Sequence, residues 1–193
     1  MASELKRRYT LEEYLALERE SDEKHEFWNG EIFAMSGGTL PHDLIMDNVF
    51  NRLHSQLIDK DCRVFSSNRQ IKVPIAPPYR YADGSVVCGK VEAEPFNGCD
   101  LLVNPVLLYE VLSPTTEAYD RGLKFTYYKS IPTLKEYLLI AQDRPYVTHF
   151  IKRSEQEWTQ REYNSLSDII ELFSVDCTLP LSEIYRDVEL ANS

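Results

Sequence analysis

Two carboxylates on strand-like segments and one lysine are the residues whose types and spacing could do chemistry in this chain. Asp83 precedes the apolar stretch 84–88, Glu110 lies inside the apolar run 106–112, and Lys124 follows in a helical segment. Two carboxylates that converge repel each other unless a hard divalent cation lies between them, and Mg²⁺ and Mn²⁺ favour such oxygen ligands. We therefore predict that Asp83 and Glu110 hold Mg²⁺ or Mn²⁺. Lys124 would orient a water molecule or stabilise developing negative charge.

The segment 106–124 must position two of these residues. Its apolar run is typical of a strand buried on both faces of a sheet, and an isolated carboxylate inside such a strand needs a cation. Pro114 ends the strand, and Thr116 can cap a helix that runs to about Ser130. Helical residues three or four apart share a face, which predicts a polar stripe that points back at the strand. The stripe contains Asp120, Lys124 and Tyr127 or Tyr128.

Earlier segments supply two further candidates. Thr10 and Glu13 form a capping-box pattern for a helix to about Glu20. A hairpin with Asn29 and Gly30 at its turn carries Glu26 on its first arm, and His42 lies at the start of a long helix predicted over 41–59. Glu26 and His42 are therefore second choices for the site, together with Asp120 and Tyr127 of the helical segment.

The other segments complete an α/β pattern. We predict a strand over 79–88 with Asp83 in its middle, a polar loop to about 104, and either a strand pair or one interrupted strand around 64 and 71–75. Three strands over 135–163 would form an antiparallel meander, followed by a short helix, a short strand and a terminal helix over 166–185. These elements predict one domain over residues 1–193, an α/β fold with a mixed central sheet flanked by helices.

Composition narrows the function classes. The net charge of −10 weighs against a protein that coats nucleic acid by electrostatics alone, although an enzyme with a local metal site remains compatible with it. The basic residues near Asp83 are interpreted as solvated surface charges: Arg63, Arg69, Lys72, Arg80 and Lys90. Neither a membrane helix nor a signal peptide is evident, and the four cysteines have no CxxC pair. We expect reduced thiols and a cytoplasmic location.

Five motifs in a fixed order resemble a known family. They are HEFWNGE at 25–31, GGTLPH at 37–42, YRYAD at 79–83, EVLSP at 110–114 and DRGLKFTYY at 120–128. The set resembles the Uma-two family of nucleases, within the PD-(D/E)XK superfamily, and the resemblance spans the chain from about Tyr9 to Tyr185. It implies a restriction-endonuclease-like fold and metal-dependent hydrolysis of nucleic-acid phosphodiesters, with DNA as the expected substrate. It also implies that Asp83, Glu110 and Lys124 form the site.

Two positions depart from the superfamily pattern. Ala82 stands where the proline of "PD" is usual, which we expect to alter only the entry to the strand. Leu112 stands where the superfamily places the lysine of "(D/E)xK". Residues two apart on a strand share a face, so Leu112 should point the same way as Glu110 and cannot supply a charge. Lys124 is the candidate replacement, and the Uma-two pattern itself has the helix lysine.

Other interpretations remain open at this point. Lys124 and Asp120 could be an ordinary ion pair on a helix surface, Asp83 a turn residue, Glu26 a solvated hairpin charge and His42 a cap residue. The alternative function is a nuclease-like accessory factor that binds nucleic acid or a protein without cutting. A third is a structural homo-oligomer, favoured only by the aromatic residues Trp28, Phe96 and Tyr119. For the nuclease we expect a homodimer, since such enzymes often pair to address two strands.

Overall fold

The computed structural model describes residues 7–21, 23, 25–28, 30–34, 38–75, 80–96, 98–114 and 116–190. Its helices are α1 (Leu11–Glu20), α2 (Leu40–Leu57), α3 (Glu117–Tyr119), α4 (Phe125–Tyr128) and α5 (Leu181–Ile184), and a π-helical turn (Asp120–Lys124) joins α3 to α4. The first seven strands are β1 (His25–Trp28), β2 (Glu31–Ala34), β3 (Cys62–Ser66), β4 (Gln70–Ile71), β5 (Arg80–Tyr81), β6 (Gly84–Cys88) and β7 (Ala93–Phe96). The others are β8 (Cys99–Leu102), β9 (Leu107–Leu112), β10 (Glu136–Ala141), β11 (Val147–Lys152), β12 (Trp158–Tyr163), β13 (Ile169–Leu172) and β14 (Cys177–Pro180).

A six-stranded mixed sheet forms the centre of the fold. Its strand order is β12-β11-β10-β9-β6-β3, in which β9 and β10 run parallel and the other neighbours are antiparallel. Every residue of β9 is buried, which explains the continuous apolar run in the sequence. A second sheet has the order β5-β4-β8-β7, and β1–β2 and β13–β14 form separate hairpins.

Apolar side chains cover both faces of the central sheet. Tyr109 and Val111 of β9 belong to the cluster that contains the buried stripe of α2, which is Ile45, Val49, Leu53 and Leu57. Leu108 and Leu112 belong to the other cluster, together with Phe125 and Tyr128 of α4. Because side chains alternate along a strand, Glu110 points to the face of Leu108 and Leu112, towards α4. The predicted α/β fold with a mixed central sheet flanked by helices is confirmed.

The predicted strand around Asp83 is wrong, because the chain changes sheets there. β5 belongs to the four-stranded sheet and β6 to the central sheet, and Asp83 lies in the bend between them. Gly84 follows at a close approach, since a Cβ at this position would lie 2.1 Å from the Tyr109 ring. The absence of a side chain at Gly84 thus lets β6 pack beside β9 immediately after the bend. Asp83 is placed where the two sheets meet.

Other predictions had mixed outcomes. The Thr10–Glu13 capping box and both arms of the first hairpin are confirmed, with Gly30 at φ +80°. The polar loop after β6 instead contains the β7–β8 hairpin, for which the Asn-Gly pair at 97–98 was the overlooked signal. The C-terminal part is the β13–β14 hairpin followed by α5, so the predicted first helix of that part is wrong. Predictions that rest on Asn29, Gly37, Pro77, Pro78 and Tyr79, and on the Trp28 side chain, lie outside the described residues.

The cysteine prediction requires a correction. Cys62 and Cys88 are joined by a disulfide, because the antiparallel register of β3 and β6 places them directly opposite each other. Their separation of 26 positions matches no recognisable spacing, so this pairing could not be predicted from the sequence. Cys99 and Cys177 are free thiols, as expected. None of the described helices is long and apolar enough to cross a membrane.

Candidate active site

The ammonium of Lys124 lies among three carboxylates beneath the surface. Its Nζ is 2.9 Å from Glu110 Oε1, 3.5 Å from Asp120 Oδ1 and 3.6 Å from Glu26 Oε1. Lys124 is 5% exposed and Asp120 3% exposed, so the pair is not a solvated pair on a helix surface. Both belong to the π-helical turn, a local widening of the helix that often occurs at functional sites.

Burial and charge shape the ionisation of this cluster. Burial lowers the pKa of Lys124, but the carboxylates of Glu110 and Glu26 outweigh it and hold that pKa well above its ordinary value. Burial raises the pKa of Glu110, with help from the negative charges of Asp83 and Asp120 and against the attraction of Lys124. Lys124 is therefore charged at neutral pH, and it is the cation that the buried Glu110 requires.

Tyr128 completes the contacts of Glu110. Its hydroxyl donates to Glu110 Oε1 over 3.0 Å, so this oxygen serves both the tyrosine and Lys124. Helical spacing allows either Tyr127 or Tyr128 to face the strand, and Tyr127 was the second choice for the site. The structure corrects that choice, because it brings Tyr128 to the carboxylate. The Tyr127 ring lies instead 5.7 Å from the guanidinium of Arg80.

Asp83 lies between β9 and the start of α2. The Val111 amide donates to Asp83 Oδ2 over 2.7 Å, and His42 Nε2 is 3.4 Å from the same oxygen. His42 Nδ1 is 3.3 Å from Asp43 Oδ1, so two carboxylates face one imidazole. Burial lowers the pKa of His42, but hydrogen bonding and attraction from Asp83 and then Asp43 outweigh it and raise the pKa. His42 thus keeps its proton to a higher pH than an ordinary histidine does.

Glu26 links this cluster to the four-stranded sheet. Its Oε1 accepts a hydrogen bond from the Tyr81 amide over 3.1 Å and faces Lys124, so its side chain is not a freely solvated hairpin charge. Arg80 beside it is 0% exposed and donates from Nη1 to the Phe27 carbonyl over 2.6 Å. Its guanidinium also lies 6.0 Å from the Tyr119 ring. The interpretation of Arg80 as a solvated surface charge is therefore wrong.

Arg80 and Tyr128 are the residues that reasoning from the sequence undervalued. Arg80 lies three positions before Asp83, inside the YRYAD motif. This position in the motif was the available signal for its burial. A long cationic side chain next to a site residue can point into the protein when aromatic rings and a backbone carbonyl contact its guanidinium.

The donor chemistry of the cluster fits a hard divalent cation held by two carboxylates. In the part of the chain that the structure describes, no three carboxylate, imidazole or thiol groups are arranged as ligands of one ion. Mg²⁺ does not need three, because it commonly keeps several waters and binds through one or two carboxylates. The described contacts of Glu110 use Oε1 and those of Asp83 use Oδ2. Glu110 Oε2 and Asp83 Oδ1 are thus the oxygens that could receive an ion.

Comparisons with known proteins identify the family. Residues 11–182 match the Uma2 family, described as "Putative restriction endonuclease". The chain is 34% identical over 175 residues to the uncharacterized protein slr1290 of Synechocystis sp., covering 91% of this chain and 90% of that protein. It is 32% identical over 153 residues to the uncharacterized protein sll1609 of the same organism, covering 79% of this chain and 86% of that protein.

A solved structure shares the fold. It is the crystal structure of "a putative nuclease belonging to DUF820" from Anabaena variabilis, with a TM-score of 0.69 and 18% sequence identity. The match covers 91% of this chain and 97% of that one. At this identity the likeness concerns the fold alone, whereas the family model matches most of the sequence. The chain belongs to the Uma2 family of restriction-endonuclease-like proteins.

Proposed function

We propose that this protein is a Mg²⁺- or Mn²⁺-dependent endonuclease that hydrolyses phosphodiester bonds in nucleic acid, with DNA as the expected substrate. The observation that carries the proposal is the buried Lys124 ammonium in contact with Glu110 of β9, a strand whose Val111 amide also binds Asp83. A buried cation held by several carboxylates is costly to form, and such clusters are typical of functional sites. The family supports the reaction class.

Each side chain has a role in this proposal. Asp83 and Glu110 would hold the metal ion, which when bound polarises a phosphoryl oxygen and lowers the pKa of a coordinated water. Lys124 would stabilise the negative charge that develops on the phosphate, because its ammonium is already fixed in place by three carboxylates. His42 lies against Asp83 and would carry a proton to or from the reacting oxygens. Glu26 would position Lys124.

Cleavage assays with matched variants test the proposal. A supercoiled plasmid and a single-stranded oligonucleotide are incubated with Mn²⁺ and the wild type, Asp83→Asn or Glu110→Gln. We expect both variants to lose cleavage and calorimetric Mn²⁺ binding while circular dichroism stays unchanged. Glu117→Gln is the matched control, because Glu117 lies on the helical segment that carries Lys124 but forms a partly exposed pair with Arg121. Unchanged Mn²⁺ binding by both site variants would overturn the metal assignment.

The accessory-factor alternative would produce a different result. A wild type that binds oligonucleotides yet cuts none of the substrates would favour the non-cutting function, to which the net charge of −10 gives some support. The cytoplasmic location stays a prediction, and the Cys62–Cys88 disulfide weighs against it, since reducing compartments keep such cysteine pairs reduced. Thiol titration of protein isolated under alkylating conditions checks it.

A further inference from the structure

A cleft of about 700 Å³ lies beside the candidate active site, between α1 and the β7–β8 hairpin. Its size is within the range of about 300–1,000 Å³ that is usual for pockets that bind small molecules or parts of larger ones. None of Asp83, Glu110 and Lys124 lines it, so it is a separate feature of the molecule. The side chains that matter here are Tyr14, Leu15, Glu18, Tyr81, Phe96 and Cys99.

A chain of hydrogen bonds fixes the polar groups of the cleft. The Tyr81 hydroxyl donates to Glu18 Oε1 over 3.1 Å and is hydrogen-bonded by the Gln70 side chain. The Cys99 thiol donates to Gln70 Oε1 over 3.0 Å, which orients the amide. Glu18 Oε2 accepts from the His25 backbone amide over 3.0 Å. Donors and acceptors are therefore held in set positions before any ligand arrives, which reduces the ordering cost of binding.

Apolar groups flank this polar edge. Leu15 and Phe96 are partly exposed and pack against the buried pair Tyr14 and Phe27, whose rings stack 5.4 Å apart. A flat ligand with an apolar face and hydrogen-bonding groups along its edge fits such a cleft. Nucleobases have these two properties, and proteins that recognise unpaired bases combine an aromatic or apolar platform with polar contacts to the base edge.

The cleft is joined to the active site by a short path. The Tyr81 amide donates to Glu26 Oε1 over 3.1 Å, and the same oxygen is 3.6 Å from Lys124 Nζ. Tyr81 also lies two residues before Asp83, so their Cα atoms are at most about 7 Å apart. A phosphate at the candidate active site would thus have the base of a neighbouring nucleotide within reach of the cleft.

We infer that the cleft takes an unpaired nucleobase next to the scissile phosphate, which makes the substrate class single-stranded or locally opened nucleic acid. This inference rests on the proposed nuclease function for its position relative to the phosphate. Bases stacked inside a duplex cannot reach a lateral cleft without being extruded, which costs a few kcal/mol per base. The protein should therefore bind single strands more tightly than perfect duplexes.

Fluorescence titration tests this assignment. The probe is a single-stranded oligonucleotide with 2-aminopurine at its centre, titrated in Ca²⁺ and examined on a gel afterwards to establish that it is intact. Leu15→Trp fills the cleft and should weaken binding at least tenfold, and Phe96→Ala should weaken it severalfold. Leu166→Trp is the matched control, because Leu166 is an exposed leucine outside the cleft and its substitution should leave affinity unchanged.

The outcomes separate this inference from the nuclease proposal. Wild-type affinity in Leu15→Trp would overturn the inference even if the protein cuts nucleic acid. Equal affinity for a matched duplex, or for a free mononucleotide, would overturn it as well. Binding that depends on Leu15 in a protein that cuts no substrate would instead refute hydrolysis and leave the base site standing.

Discussion

Lys124→Met should strongly destabilise the fold, because it removes the charge of a buried side chain at the candidate active site. Methionine keeps most of the volume of the lysine stem and removes only the ammonium. In the wild type, Lys124 Nζ lies 2.9 Å from Glu110 Oε1. The substitution removes this cation and leaves Glu110, which is 3% exposed, beside Asp120 and Glu26. Removal of one partner from a buried ion pair typically costs about 3–5 kcal/mol of unfolding free energy.

The structure allows this magnitude to be bounded. Two unit charges 2.9 Å apart attract by about 6 kcal/mol at an effective dielectric constant of 20. Glu110 can avoid most of that loss by taking up a proton, and protonation of a carboxyl whose ordinary pKa is about 4.3 costs about 3.7 kcal/mol at pH 7. The smaller figure is the ceiling for this carboxylate. In a chain of this size it corresponds to a fall in Tm of about 7–15 °C.

The protonation of Glu110 in the variant also determines how its loss of stability depends on pH. In the variant the native state holds a proton on Glu110 that the unfolded chain has lost, so the deficit grows as the pH rises above the ordinary glutamate pKa. It should shrink to about 1 kcal/mol at pH 5. Urea unfolding in EDTA at pH 5 and pH 7 measures both values.

Two further proteins make the experiment decisive. Arg121→Met is the matched control, because Arg121 pairs with Glu117 at 2.8 Å on the same helical segment, at 30% and 42% exposure. It should cost about 1 kcal/mol, because only this partly exposed pair and the hydrogen bond from Arg121 Nη1 to Thr148 Oγ1 over 3.1 Å are lost. Glu110→Gln added to Lys124→Met should restore stability, since it removes the uncompensated charge. A loss as small as that of Arg121→Met, or one independent of pH, would refute the buried-cation argument.

Three other predictions address the rest of the molecule. Cys88→Ser should lower the unfolding free energy by about 3.5 kcal/mol through the lost closure of a loop of 26 positions, and thiol titration of the unfolded wild type should count two free thiols instead of four. Burial raises the pKa of Glu136, but hydrogen bonds from His149 and Ser174 outweigh it and lower the pKa. The stability that Glu136 contributes relative to Glu136→Gln should therefore be complete above about pH 4.3 and be lost as the pH falls through the lower pKa of the folded state. Thermal melts of both proteins across pH 3–6 measure this loss. Light scattering at micromolar concentration should give the mass of a homodimer, and a monomer would remove that expectation.

The sequence predicted the parts of the fold that depend on local pattern. The uninterrupted apolar run of β9 and the four-residue spacing of the α2 stripe each follow from burial geometry within one element, and both were predictable. The change of sheet at Asp83 was not, because it depends on Gly84 meeting the ring of Tyr109 on another strand. The disulfide was missed for a similar reason, since only the register of β3 against β6 brings Cys62 to Cys88.

The residues of the site likewise include some that the sequence predicted and some that it could not predict. A carboxylate inside an apolar strand already implied that Glu110 needs a cation, but the sequence offers 21 lysines and arginines as partners. Helical spacing and the family motif selected Lys124, and the structure places its Nζ 2.9 Å from Glu110 Oε1. Helical spacing could not predict the burial of Arg80, because its contacts are the Phe27 carbonyl and tyrosine rings from separate elements.

The charges of the cluster bear on the proposed metal ion. Lys124 contacts three carboxylates, and Asp83 adds a fourth whose charge acts on Glu110. Burial is the main cause that raises the pKa of both Glu110 and Asp120; the attraction of Lys124 opposes it, and repulsion from Asp83 acts on both groups in the same direction as burial. A cluster built only for stability would be expected to match its charges, since unmatched buried charge is destabilising. The surplus of negative charge therefore supports the proposal that a divalent cation binds between Asp83 and Glu110.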